Sequence, residues 1–130
     1  MTPEQLDLVR KVIAEVGDHP EFADRFYSRL FQVAPATEAM FGDLDAQRRK
    51  LTEELVSMVD LLADLASLEA RAGELGQRHR GYGVRAGHYP VAREVMVDAL
   101  RDVLGPSFGA DEEAAWNRAT MLITELMQAG

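Results

Sequence analysis

Residues 75–89 read Leu-Gly-Gln-Arg-His-Arg-Gly-Tyr-Gly-Val-Arg-Ala-Gly-His-Tyr, and this stretch decides the fold. Leu75 and His79 lie one helical turn apart on one face, and Gly81 and Gly83 break the helix just past the histidine. A histidine so placed can reach an axial metal site. The same position equally suits a protonated imidazole at the negative end of a helix macrodipole, with no ligand at all. Tyr89 follows ten residues after His79, at the start of the next helix. The glycine-rich corner between them is expected to let its hydroxyl approach the imidazole from behind.

Working back from this stretch, residues 74–80 form a short histidine-bearing helix. Leu65 and Leu68 continue an earlier helix, with a kink or break before Gly73. Asp45 can cap a helix running to about residue 63, along which Gln47, Leu51, Leu55, Met58 and Leu62 recur at helical spacing. Gln47 is the polar member of that apolar face, although a glutamine this near a helix start is ordinarily solvated. Residues 36–41 make one or two turns between Ala34-Pro35 and Gly42. At the N-terminus, Thr2-Pro3-Glu4-Gln5 is a capping-box start for a helix with Leu6, Val9, Ile13 and Val16 inward, and Gly17 ends it. Pro20 opens a second helix with Phe22, Phe26, Leu30 and Val33 inward, and Tyr27 beside that stripe is at least half buried. A buried phenol needs a partner.

Beyond the corner, Pro90 falls in a first helical turn, where its missing donor costs nothing. Val91, Val95, Ala99 and Val103 form that helix's buried stripe, and Gly105-Pro106 ends it. Asp111-Glu112-Glu113 opens a last helix with acid at its positive end and Trp116, Ala119, Ile123 and Leu126 inward. No segment alternates with period two. The fold class is therefore all-α, about seven helices crossing obliquely around a pocket, and residues 1–130 read as a single domain.

Composition narrows the chemistry. Aspartate and glutamate outnumber lysine and arginine 22 to 14, and a net charge of -8 repels nucleic acid and anionic membrane surfaces. The absence of cysteine excludes disulfides, thiolate metal sites and covalent haem attachment, and suits a reducing cytoplasm. No export signal or membrane anchor is expected. His19, His79 and His88 form no i,i+4 pair, so a protein-only metal cage is not expected. No nucleophile elbow or phosphate loop is present. One axial histidine plus a flat prosthetic group fits the remaining residues.

The ordered set Phe26-Tyr27-x-Arg29-Leu30-Phe31, Met40-Phe41, Gln77-Arg78-His79, Tyr89 and Trp116 resembles the bacterial globins, and most closely the globin domain of flavohaemoglobins. The resemblance covers nearly the whole chain and implies a globin fold around non-covalent haem b. It implies that His79 is the proximal iron ligand and that Phe41 stacks on the haem. Tyr27 and Gln47 correspond to the distal tyrosine and glutamine, and Leu51 to the leucine one turn on, with Leu75, Val84 and Tyr89 lining the proximal side. His88 is the weaker competing ligand, expected at the surface.

Two departures stand out. The family's late-helix carboxylate, which joins the proximal histidine and tyrosine, has no counterpart, because Glu125 falls six residues too early. The family's flavin and nicotinamide domain is also missing from these residues. The resemblance therefore implies an oxygen-binding globin acting as a nitric oxide dioxygenase, with electrons from an external flavin reductase. The alternative is non-enzymatic binding, storage, transport or sensing of oxygen, nitric oxide or carbon monoxide.

Overall fold

The computed structural model describes residues 1–130 as six α-helices and two short 3-10 helices, with no strand. Helix α1 (Pro3–Val16) begins in the expected capping box, with Gln5 N–H donating to Thr2 Oγ1 at 3.1 Å and Thr2 N–H to Gln5 Oε1 at 3.0 Å. It buries Val12 as well as Val9, Ile13 and Val16. Helix α2 (Glu21–Val33) buries Phe22, Ala23, Phe26, Tyr27 and Leu30. Val33, expected inward, is exposed, because the 3-10 helix Pro35–Met40 turns the chain away before another turn of stripe can pack.

Helix α3 (Leu44–Asp60) is capped by Asp43 and not by Asp45: Ala46 N–H donates to Asp43 Oδ1 at 3.1 Å, while Asp45 pairs with Arg48. Helix α4 (Leu65–Gly81) is continuous, so the break expected before Gly73 does not occur. Helices α5 (His88–Leu104) and α6 (Ala110–Ala129) complete the set, joined by the 3-10 turn Gly105–Ser107.

α1 and α4 rest on α6, and α2 rests on α5. Trp116 and Phe22 are the largest side chains fully enclosed by this packing. Helix α3 is different, because Leu51 and Leu55 on its inward face are only half-buried. An apolar stripe left unfinished in this way lines a cleft between α2, α3, α4 and α5. No helix is long and apolar enough to cross a membrane.

The crossing of α4 on α6 positions one wall of that cleft. At Gly76 a Cβ would lie 1.9 Å from the carbonyl oxygen of Met127, a backbone atom that no rotamer change can move aside. Alanine would gain roughly 0.5–1 kcal/mol of helix propensity, but overpacking a fixed contact costs about 1–3 kcal/mol or more, so the steric term wins. We expect Gly76→Ala to lower the denaturation midpoint and Gly81→Ala, whose Cβ meets nothing within 4 Å, to leave it unchanged or raised. Equal effects of the two in urea unfolding would show that the crossing does not constrain α4.

Candidate functional site

All eight residues singled out from the sequence line one cleft of about 270 Å³: Tyr27, Phe41, Gln47, Leu51, Leu75, His79, Val84 and Tyr89. The histidine wall is built by the end of α4. Gly83, at φ +96°, takes the left-handed conformation that closes a Schellman motif. Gly83 N–H donates to Arg80 O at 3.1 Å and Val84 N–H to His79 O at 3.0 Å. The motif holds Val84 against the turn that carries His79, so both reach the cleft together.

Within α4, His79 Nδ1 lies 2.8 Å from the Leu75 carbonyl oxygen. A carbonyl only accepts, so Nδ1 carries the proton and Nε2 keeps its lone pair free. Burial lowers the imidazole pKa, outweighing the opposing Leu75 hydrogen bond. The neutral ring required of a metal ligand is thus the favoured one. The Tyr89 ring lies nearly parallel to it, with centroids 6.4 Å apart and an interplanar angle of 22°. Its hydroxyl does not reach the imidazole as expected. It is buried with no hydrogen-bond partner, because Nδ1 is already held by Leu75, and burial raises its pKa.

Across the cleft, Tyr27 is 5% exposed within a cluster of Phe26, Phe31 and Phe41 rings at centroid distances of 5.0, 6.0 and 5.3 Å. Its hydroxyl donates to the backbone carbonyl of Gln47 over 3.4 Å, near the outer limit for such a bond. Burial pushes the phenol pKa up to about 12. The group therefore stays protonated, a donor on a loose tether. The Gln47 side chain lines the cleft half-buried, so the ordinary solvated reading of a helix-start glutamine does not apply.

His88 also differs from expectation. It is half-buried and lines the cleft, and its Nδ1 accepts from Arg85 N–H at 2.8 Å. Neutral His88 so held carries its proton on Nε2 and offers no lone pair to a metal. Sequence reading also passed over Lys50, Glu54, Arg78, Arg93 and Met96 in the lining. Glu54 was discoverable, since it lies seven residues after Gln47 and three after Leu51 on the same helix face.

Nowhere do three His, Cys, Asp or Glu side chains come together as a metal cage. A metal ion at His79 would draw its other ligands from a prosthetic group. The lining fits a flat one: 17 of its 27 residues are hydrophobic, one free imidazole nitrogen serves the α4 side, and one phenol donor serves the other.

The globin family pattern matches residues 24–127 of the chain. The flavohemoprotein of Bacillus subtilis is 25% identical over 125 residues, 92% of this chain but only 31% of that protein. The chain thus spans about a third of that relative's length. An uncharacterized globin-like protein of Aquifex aeolicus is 25% identical over 121 residues, covering 92% of this chain and 86% of the relative. Among solved structures, an engineered carbene transferase from Rhodothermus marinus superposes with a TM-score of 0.89 at 25% identity, over 99% of this chain and 92% of that one. A bacterial globin of Campylobacter jejuni superposes at 0.83 with 18% identity, over 98% and 94% of the two chains. With the matched region running from inside α2 almost to the end of α6, and so including both walls of the cleft, the chain belongs to the globin family.

Proposed function

We propose that residues 1–130 act as a single cytoplasmic globin domain that binds haem b through His79. Given electrons from outside these residues, it converts nitric oxide and oxygen to nitrate. Membership of the globin family implies haem binding and small gaseous ligands. The Rhodothermus scaffold's assignment to nitric oxide dioxygenase chemistry supports the finer reading. The observation that carries it is the Tyr27 hydroxyl, buried opposite His79, kept protonated and only loosely held.

When bound, haem supplies an iron that takes up a diatomic gas and shares electron density with it. The chain's own residues do the rest. Leu75 O fixes the tautomer and orientation of His79, and burial keeps that ring neutral. Phe41, Leu51, Leu55 and Met58 keep water from the opposite wall. Tyr27 can turn from the distant Gln47 carbonyl to any atom in the cleft that acquires negative charge. Such a donor is preorganised and acts in a dry site, where it is worth most.

We expect His79→Ala to lose stable haem, with added imidazole partly restoring the absorption spectrum, and His88→Ala to keep it. The reverse pattern would move the ligand to His88. We expect Tyr27→Phe to raise the oxygen dissociation rate of the haem-loaded protein about tenfold or more, since a hydrogen bond to a charged acceptor is worth roughly 1.5–3 kcal/mol. Carbon monoxide release should change little, and equal small effects on both gases would reduce Tyr27 to a core residue. For the reaction itself, oxygenated protein mixed with excess nitric oxide should yield one nitrate per haem alone. Many turnovers should follow when a flavin reductase and its nicotinamide donor are added. Slow or absent nitrate in the first turnover would favour gas binding or sensing.

A further inference from the structure

The chain is acidic, yet the cleft is not. Lys50, Arg78 and Arg93 line the cleft itself. Arg80 and Arg85 line a neighbouring cavity that shares Val84 and Tyr89 with it. Against these five cations the two linings contain one carboxylate, Glu54, which is paired with both Arg78 at 3.6 Å and Arg71 at 3.5 Å. The local balance is +4, while the rest of the chain, with nine cations and 21 carboxylates, carries -12. Most cations elsewhere are neutralised in pairs, such as Lys11 with Glu112, Arg29 with Asp98, and Arg48 with Asp24. Lys50 and Arg85 make no ion pair, and Arg80 donates to the backbone oxygens of Met127 and Gly130. Lys50, Arg78, Arg80 and Arg85 are all exposed.

The two carboxylates of a haem would lower the local balance without reversing it. At physiological ionic strength charges are screened over about 8 Å. A molecule arriving at the cleft therefore meets these cations, and not the net charge of the whole protein. We propose that this rim is the docking surface for a one-electron donor protein whose flavin or iron–sulfur centre is surrounded by acidic residues. In the exchange the donor is oxidised by one electron and ferric iron becomes ferrous; no bond forms between the partners. The proposal rests on the reading that electrons arrive from outside these residues. It commits that reading to a place and to a sign of charge.

The test compares two photoreduced flavins as reductants of the ferric haem-loaded protein, without oxygen or nitric oxide: flavin mononucleotide, which carries a phosphate dianion, and riboflavin, which does not. The expected result is that the mononucleotide reacts several-fold faster at low salt, by about the lower end of electrostatic steering, and that its advantage disappears as salt is raised. The double variant Lys50→Glu with Arg85→Glu should remove the advantage. The double variant Arg25→Glu with Arg118→Glu, with the same charge change at exposed positions outside both linings, should keep it. A mononucleotide rate that rises with salt, as the net charge of -8 dictates, would overturn the proposal, as would equal effects of the two double variants. Backbone amide shifts on titration with an acidic flavodoxin should centre on Lys50, Arg78 and Arg85, and shifts centred on α1 would contradict it. A failure here alongside nitrate formation driven by another donor would refute the docking surface alone. Docking without nitrate formation would refute the dioxygenase reading alone.

Discussion

How closely α4 can approach α6 governs the geometry of the cleft. The contact is made backbone to backbone: a Cβ on Gly76 would strike the Met127 carbonyl, and one on Gly130 would lie 2.7 Å from Gly73 Cα. Because α4 runs unbroken from Leu65 to Gly81, fixing it at Gly76 also fixes its last turn, where His79 lies three residues on. The Schellman motif then closes that turn and delivers Val84 beside it. The position of one imidazole thus follows from glycines that never touch the cleft contents.

Burial sets the chemistry of both walls in opposite senses. It disfavours the charged form of each ring, so the imidazole of His79 is kept neutral and the phenol of Tyr27 protonated. One cause therefore yields a lone pair on one side and a proton donor on the other. Tyr89 experiences the same desolvation with a different outcome, because its buried hydroxyl has no partner. Leaving such a group unsatisfied costs about 1–3 kcal/mol. Glu125, the carboxylate nearest in sequence to the family's network position, is exposed and lines neither cavity.

Helical periodicity made most of the fold legible, and the ordered motifs brought all eight site residues to one cleft. The errors have a common physical origin. Gly73 reads as a breaker when helix propensity is considered alone, but one interior glycine costs a helix only about 1 kcal/mol, which the packing of α4 on α6 offsets. Asp43 and Asp45 are equally good caps by residue type, and only the backbone path shows which one reaches the free N–H of Ala46. Val33 continues a perfect stripe, yet stripe periodicity carries no information about where the opposing helix stops. His88 looks like a surface residue by sequence alone because its bond to Arg85 N–H depends on the corner's backbone path. The basic rim was hidden by the net charge, since composition records how many charges a chain carries and not where folding gathers them.

The central claim is that His79 binds haem iron as a neutral imidazole whose Nδ1–H is held by a backbone carbonyl. Resonance Raman spectroscopy of the ferrous, gas-free protein tests it most directly through the iron–imidazole stretching band. The account predicts a band that shifts when histidine is labelled with nitrogen-15, vanishes in His79→Ala, and falls at the low frequency of a neutral imidazole. A labelled band that survives in His79→Ala, or one at the high frequency of an imidazolate, would contradict it.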